Sequence, residues 1–432
     1  MDVMGITIFK LNDVLSLSYS IDTVSIVFMT AICVLWLCAG LYSVFYMKHE
    51  GKLKRYYTFY ILVFLIMMAM AASANLFTFY MNYELMTLAS AVLVIHEETE
   101  EARIAAFKYI LYSLCGAYFV LFGFFVLSQY CDTLFFTEGG TLNLSLTEGH
   151  EGIVLLAAFF MIIGFGVKAG MWPMHAWLTT AHPIAVSPAS AVLSGVIVKA
   201  GVVGAIRAVY YLIGVDFLRG TWVQTAWLIL SLVTVLMGST LAFFEPVLKK
   251  RLAYSTISQV SYILFGLALM NTESFKGAML QFSAHAFAKC ALFLIAGILI
   301  MVTGSKNVSD MKGIGKKYPF LLWCFTLCSL SMVGIPPTGG FIAKWYLIEG
   351  ALNSEIYPVA WLGPVILLVS ALLTAGYLFP IAMRGFLPGK GYIDKFPEKK
   401  KLPLTVTVPV GILTALAVLT GIFPNLFTGG VM

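Results

Sequence analysis

Long apolar stretches recur along the whole of this 432-residue sequence and constrain its fold more than any other feature. About 60% of the residues are hydrophobic and 11% are charged, whereas an ordinary globular domain has roughly 25% charged residues. A stretch of about 18 or more apolar residues is typical of a helix that crosses a membrane. The sequence therefore predicts an all-α polytopic membrane protein rather than two or three soluble domains.

Twelve spans can be drawn, two of them interrupted by proline and glycine. We expect helices, because a lipid-exposed backbone must satisfy its own hydrogen bonds and the spans are too long for barrel strands. The predicted spans are 23–47, 56–72, 74–95, 103–130, 153–182 (broken), 187–213, 222–245, 249–270, 276–303, 319–351 (broken), 357–383 and 402–424.

Basic residues gather in alternate loops between these spans. Positive residues favour the inner side of a membrane, so we expect these loops in the cytoplasm (or a matrix) and both termini outside. The opposite loops hold little beyond Arg219 and an acidic stretch at 131–151. The pattern accounts for much of the net charge of +6 without a nucleic-acid partner. The basic residues are Lys48, Lys52, Lys54, Arg55, Lys249, Lys250, Arg251, Lys306, Lys312, Lys316, Lys317, Arg384, Lys390, Lys395, Lys399, Lys400 and Lys401.

Two spans carry a similar interruption, FGVKAGMWPMHAWL and MVGIPPTGGFIAKWYL, each with a lysine close to the break. Paired broken helices in two halves are typical of transporters built from inverted repeats, with ion sites near the middle of the membrane. The predicted organisation is an N-terminal segment with one span (1–55), a first five-helix repeat (56–215), a second five-helix repeat (216–384), and a basic loop with a final span (385–432).

A few charged residues fall inside the predicted spans. A charge at the centre of a bilayer costs roughly 2.5–3.5 kcal/mol on insertion scales, so its presence points to function. Arg207 and Lys108 lie nearer the ends of their helices, where a long side chain can reach the interface. The candidate set is Glu84, Lys168, Lys199, Lys289 and Lys344, with His175, His182 and His285 nearby.

Glu84 and Lys168 are natural partners, since both fall near the middle of their spans. One interpretation is a structural ion pair that fixes helix packing. The other is a functional pair whose making and breaking moves a proton. We favour the second interpretation, because one carboxylate cannot neutralise several buried lysines.

Lys199, Lys289 and Lys344 have no obvious acidic partner in the sequence. Burial disfavours a charged amine, so such lysines can take up and release protons. His285 precedes Lys289 by four residues and faces the same side of its helix. His175 and His182 are further candidates for the relay, although each of these histidines also fits a plain packing role. These residue types suit proton transfer better than sugar or peptide transport.

Cofactors are not expected in this chain. None of the seven cysteines forms the CxxC pair typical of a zinc or iron–sulfur site, and no glycine-rich nucleotide loop is present. A haem held by His175 and His182 is also not expected, because both fall on one segment rather than on facing helices.

Several stretches resemble a known family: NYELMTLAS, FGVKAGMWPMHAWLTTAHPIAVSPASAVLSGVIVKAG, LKKRLAYSTISQVSYILFGLAL, HAFAKCALFLIAG and GIPPTGGFIAKWYL. They are similar to the antiporter-like membrane subunits of respiratory complex I, of Mrp-type cation/proton antiporters and of energy-converting membrane-bound hydrogenases. The resemblance covers roughly residues 20–425. It begins at a segment similar to the family's third helix, so two of the usual fourteen helices have no counterpart in the printed sequence.

The resemblance implies a role for each candidate. Glu84 matches the family's glutamate, which pairs with a lysine on the first broken helix, here Lys168. Lys199 matches the central lysine of the next helix. In the second repeat, His285 and Lys289 match the histidine and lysine of the family's central helix, and Lys344 matches the distal lysine or glutamate on the second broken helix. It also implies inverted repeats that each form a half-channel for protons or, in some members, sodium.

Three functions remain open at this point. The leading one is an ion-translocating subunit of a redox-driven complex, with iron–sulfur or metal centres in partner subunits and an energy-converting membrane, such as a prokaryotic cell membrane, as its location. The first alternative is a subunit of a Mrp-type antiporter, which partner subunits would distinguish. The second is an inactive scaffold, in which Glu84→Gln and Lys168→Ala would leave pumping intact.

Overall fold

A computed structural model describes residues 5–12, 14–354, 356, 358–389, 392, 396 and 401–428. The predictions for Lys390, Lys395, Lys399 and Lys400, and for the location of residues 1–4 and 429–432, concern residues outside these ranges. Over the described residues the chain is an all-α bundle of twelve main helices, which confirms the predicted fold class.

The helices begin and end close to the predicted limits. The first four are α1 (Thr23–Tyr46), α2 (Leu53–Ala71), α3 (Leu76–Val94) and α4 (Glu100–Tyr130). Next come the broken α5, with halves α5a (Glu151–Ala169) and α5b (Ala176–Ile184), then α6 (Ser187–Ile213), α7 (Trp222–Phe244), α8 (Leu248–Ala268) and α9 (Thr272–Thr303). The last are the broken α10, with halves α10a (Pro319–Val333) and α10b (Gly339–Leu352), then α11 (Val359–Phe386) and α12 (Leu404–Ile422).

Local sequence explains several of these limits. Asp22, Asn75, Thr99 and Asn271 cap α1, α3, α4 and α9, because each side chain accepts a hydrogen bond from the backbone N–H three residues later. Gly170 ends α5a with a φ of 82°, a conformation that favours glycine.

Both breaks occur in the fourth helix of a predicted repeat. The first break holds a cis peptide bond between Trp172 and Pro173, and the second holds one between Pro336 and Pro337. Two features were not predicted. One is an N-terminal hairpin of β1 (Ile6–Lys10) and β2 (Ser16–Tyr19). The other is a pair of π-helical turns inside α6, at Leu193–Ile197 and Val209–Ile213.

Nine helices in the described part of the chain are each long and apolar enough to cross a membrane. The helices α3, α8 and α10a/α10b are not among them, because polar residues or the break interrupt their apolar length. Within the bundle, α6 and α9 are the most enclosed helices: all of the most apolar 18-residue window of α6 and 78% of that of α9 are buried. Charged side chains on these two helices are therefore shielded from lipid by protein.

Loop contacts at one end of the bundle involve the basic loops. Glu98 forms ion pairs with Lys52 and Arg55, and Val247 pairs with Asn307 across two loops. The Gly313 N–H donates to the Arg384 carbonyl at 3.0 Å. At the opposite end, Tyr19 pairs with Ser73 and Asn75 with Phe135, and Thr137 N–H donates to Tyr211 O at 3.2 Å.

Arg207 corrects a prediction, because its side chain does not extend to the interface. It is 2% exposed and forms a two-pronged ion pair with Asp22, with a further 3.0 Å hydrogen bond to Ser25 Oγ. Burial would raise the pKa of Asp22, but the hydrogen bonds and positive charge of Arg207, together with hydrogen bonds from Ser25, outweigh that effect and hold the pKa below its usual value. The pair fastens the start of α1 to the end of α6. Lys108 is exposed near the start of α4, in keeping with the prediction for that residue.

We expect Asp22→Asn to destabilise the protein by about 2 kcal/mol, because it leaves the Arg207 charge buried without a counter-ion. The wild-type contribution is present above the carboxyl pKa of the unfolded chain and is lost as the pH falls through the depressed folded value. Thermal unfolding of detergent-solubilised protein at several pH values measures both effects. Asp216→Asn is the control, because its pair with Arg219 lies at the exposed surface. Equal stability of the two variants would contradict the prediction.

Candidate functional site

Lys168 lies in the last turn of α5a, completely buried. Its Nζ atom donates to three hydroxyl groups: Thr87 Oγ1 at 2.8 Å, Tyr109 OH at 2.8 Å and Ser113 Oγ at 3.1 Å. A protonated lysine has three N–H donors, so this arrangement satisfies all of them without a carboxylate. The rings of Tyr83, Tyr109 and Trp177 surround the amine at 4.4–6.0 Å, a geometry that stabilises a cation.

The contact expected between Glu84 and Lys168 is not made. Glu84 lies one turn before Thr87 on α3, close enough to Lys168 for an electrostatic interaction but outside ion-pair contact. Its Oε1 atom has no hydrogen-bond partner among the described residues. Lys168 bonds instead to one hydroxyl of α3 and two hydroxyls of α4, so the helix that carries Glu84 also supplies one of the acceptors.

Lys199 and Lys289 stand on the enclosed helices α6 and α9, and both are completely buried. Lys199 Nζ donates to the Ser194 carbonyl at 3.0 Å, and Lys289 Nζ donates to the Leu252 carbonyl at 2.9 Å. A backbone carbonyl can hold either a charged or a neutral amine. Each lysine therefore keeps an acceptor whether or not it carries a proton.

His285 lies among three of the lysines. It is 1% exposed, within electrostatic reach of Lys199, Lys289 and Lys344, and neither ring nitrogen has a hydrogen-bond partner in the described structure. One turn away on α9, Gln281 donates to Gln259 of α8 at 2.7 Å. A buried imidazole with both nitrogens unengaged by protein is suited to exchanging protons with its neighbours.

Lys344 occupies the start of α10b, just beyond the second break. Its Nζ atom donates to the Met332 carbonyl at 3.0 Å and lies 5.1 Å from the centre of the Tyr262 ring. Met332 belongs to the last turn of α10a, whose carbonyls lose their helical partners at the break. The break thus supplies the acceptor for the distal lysine.

His175, which precedes α5b, and His182, which lies within it, have different surroundings. His182 is completely buried, stacks on Phe293 at 4.7 Å and lies within electrostatic reach of Lys289 and Lys249. His175 is half-buried at the start of α5b. Among the described residues, it makes no hydrogen bond to another relay candidate. The structure thus groups His182, but not His175, with the lysines.

Close helix packing sets the spacing of these side chains. A Cβ atom at Gly201 of α6 would lie 2.2 Å from the Phe165 carbonyl and 3.1 Å from Lys168 Cβ. Only glycine lets α6 approach α5a this closely, as small residues do at interfaces between membrane helices. The same crossing places Lys199 and Lys168 on adjacent helices.

We expect Gly201→Ala to force α5a and α6 apart and to lower stability by about 1–3 kcal/mol through overpacking. Thermal unfolding of the solubilised protein checks this effect. Gly411→Ala on α12 is the matched control, because its new Cβ would lie 3.5 Å from Phe320, an ordinary contact distance. A Gly201→Ala protein as stable as the control would show that the packing is loose.

Sequence reasoning missed the uncharged residues that bind the lysines or lie on the same helices beside them. The residues are Thr87, Tyr109, Ser113, Ser194, Thr256, Gln259, Tyr262 and Gln281. Hydroxyl residues are common in membrane helices and give no signal by themselves. On α8, however, Thr256, Gln259 and Tyr262 recur every three residues, and this spacing of polar residues within a predicted span was a detectable signal.

Two models of related protein families match this chain. Residues 73–374 match the family described as NADH:quinone oxidoreductase/Mrp antiporter, TM. Residues 10–57 match the family described as NADH-Ubiquinone oxidoreductase (complex I), chain 5 N-terminus. Together these matches include every residue of the candidate set.

Individual relatives come from different complexes. The chain is 31% identical to NADH-quinone oxidoreductase subunit N of Desulforudis audaxviator, over 85% of this chain and 74% of that protein. It is 31% identical to hydrogenase-4 component B of Escherichia coli, over 93% of this chain and 62% of that protein. A chain of the Mrp complex from Dietzia sp. has the same fold, with a TM-score of 0.85 and 21% identity, over 99% of this chain and 85% of that one. Together with its broken helices and buried lysines, these matches show that the chain belongs to the antiporter-like membrane subunit family of NADH:quinone oxidoreductases and Mrp antiporters.

Proposed function

We propose that this chain moves protons, or sodium ions, across a membrane as one subunit of a redox-driven complex. The observation that carries the proposal is the set of buried amines on α5a, α6, α9 and α10b. In the described structure, each of the four has an oxygen acceptor and none contacts a carboxylate. Its relatives include a subunit of an NADH-quinone oxidoreductase and a hydrogenase component, which favours electron transfer as the driving reaction.

The proposed path begins at Lys168. While Glu84 approaches it, the lysine holds its proton; with Glu84 apart, as in this structure, the amine is held by neutral hydroxyls alone. A buried amine without a counter-ion gives up its proton more readily. The proton then passes to Lys199, to Lys289 and His285, and finally to Lys344. Coulomb repulsion between neighbouring charged amines drives each transfer, because it is strong in a low-dielectric interior.

We also infer where this chain sits and what accompanies it. The iron–sulfur or metal centres belong to partner subunits, and the chain itself supplies the ion path. Its basic loops face the cytoplasm of a prokaryotic cell, and both termini lie outside. His182, between Lys249 and Lys289, connects the relay with the end that carries the basic loops.

Isolation of the native complex tests the partnership. Membranes are solubilised in mild detergent, the complex that contains this chain is purified, and its subunits are identified by mass spectrometry. We expect iron–sulfur proteins together with a hydrogenase-like or quinone-reductase-like subunit. A complex with only small membrane proteins and other antiporter-like chains would contradict the redox-driven function and indicate a Mrp-type antiporter.

We expect Lys168→Ala and Glu84→Gln to lower proton transport by the reconstituted complex at least about tenfold. Lys168→Ala removes the amine that holds the proton, and Glu84→Gln removes the carboxylate that controls when the amine releases it. Transport is measured as acidification of sealed vesicles. Lys108→Ala is the control, because it removes an exposed lysine of α4. Normal transport by both relay variants would indicate a scaffold subunit.

A further inference from the structure

Two hydroxyl groups lie between Lys199 and Lys289, at the boundary of the two predicted repeats. Ser194 of α6 and Thr256 of α8 are both completely buried, and their oxygen atoms are 2.7 Å apart. The candidate set drawn from the sequence did not include them. In the part of the chain that the structure describes, they form the one hydrogen bond between two hydroxyl groups that joins α6 to α8.

Each of the two residues that carry these hydroxyls is linked to one of the lysines through a backbone carbonyl. Ser194 carries the carbonyl that accepts from Lys199 Nζ at 3.0 Å. Thr256 Oγ1 donates at 3.0 Å to the Leu252 carbonyl, which also accepts from Lys289 Nζ at 2.9 Å. Because Thr256 Oγ1 and Lys289 Nζ bond to the same carbonyl oxygen, these two atoms are at most two hydrogen-bond lengths apart. Lys199 is therefore bound to the residue that carries one hydroxyl, and Lys289 is bound to the carbonyl that holds the other.

The π-helical turn of α6 creates one end of this arrangement. At Leu193–Ile197 the Val198 N–H bonds to the Leu193 carbonyl, five residues back. In a regular α-helix it would bond to Ser194 O. The widened turn leaves that carbonyl to the side chain of Lys199. π-Helical turns are rare in proteins, and those that occur are often found at functional sites.

We propose that Ser194 and Thr256 carry the proton between Lys199 and Lys289, and so connect the two repeats. This inference rests on the proposed function in ion transport. It adds two uncharged residues to the path and gives each a defined role.

The transfer needs no further reactant. The Lys199 amine first turns from the Ser194 carbonyl to Ser194 Oγ. An N–H bond of protonated Lys199 then breaks and its proton forms an O–H bond with Ser194 Oγ, while the original hydroxyl proton of Ser194 passes to Thr256 Oγ1. The original hydroxyl proton of Thr256 passes to the neutral amine of Lys289. One proton has moved, Lys199 is neutral, Lys289 is charged, and both hydroxyls are restored. Rotation of the hydroxyls returns the donors to their starting directions.

The test measures proton transport and electron transfer by the whole complex in sealed vesicles. Ser194→Ala and Thr256→Val remove one hydroxyl each, and valine keeps the shape of threonine. The matched controls are Ser239→Ala on α7 and Thr414→Val on α12. Each control removes a buried hydroxyl that donates at 2.7 Å to a carbonyl of its own helix and bonds to no lysine. Thr256→Ser restores a hydroxyl at the same position.

We expect Ser194→Ala and Thr256→Val to lower proton transport at least about tenfold, with Thr256→Ser and both controls near the wild-type level. Normal transport by either single variant would overturn the inference. So would a Thr256→Ser complex that assembles but stays inactive, because it would show that packing matters and the hydroxyl does not. If Thr256→Val fails to assemble, Ser194→Ala decides the question.

The Lys168→Ala complex separates this inference from the proposed function. Normal transport by the hydroxyl variants beside an inactive Lys168→Ala complex would remove only the roles of Ser194 and Thr256. Normal transport by Lys168→Ala as well would remove the proposed function itself.

Discussion

The structure depends on how a charged amine is accommodated inside a membrane bundle. A buried lysine needs hydrogen-bond acceptors, and a carboxylate would hold its proton most firmly. Lys168 has three hydroxyls as acceptors, whereas Lys199, Lys289 and Lys344 each have one backbone carbonyl. Neutral acceptors of this kind satisfy the amine without fixing its charge, which is the property that a transfer path requires.

Irregular backbone provides two of these acceptors. The carbonyl that holds Lys199 belongs to the π-helical turn of α6, and the carbonyl that holds Lys344 belongs to the last turn before the break in α10. Non-helical backbone at membrane depth is tolerated only where protein encloses it. The enclosure of α6 and α9 by the other helices meets that condition, so fold and site depend on each other.

Much of the fold could be predicted from the sequence, because membrane spans are dictated by composition. Of the twelve main helices in the described part of the chain, nine follow from apolar length alone, and the breaks at Pro173 and Pro336 follow from proline and glycine. Buried charges such as Lys289 were also predictable, since a charged residue in an apolar segment stands out. The N-terminal hairpin and the π-helical turns lack comparable signals and were missed.

The contacts within the site were less predictable. Glu84 and Lys168 were expected to touch, since opposite charges attract, but three hydroxyls on neighbouring helices hold the amine instead. Arg207 was expected to reach the interface, yet Asp22 holds it in the interior. Both outcomes depend on which helices lie side by side, which a single sequence does not specify.

The most direct test is the number of protons moved per electron by the purified complex in sealed vesicles, with Lys289 replaced by methionine. Methionine is an unbranched, flexible side chain that is one atom shorter than lysine and lacks the amine, so it fills most of the same space around α9. We expect electron transfer to continue with fewer protons moved for each electron. An unchanged ratio, in a complex that contains the variant chain at normal abundance, would contradict a proton path through the buried lysines.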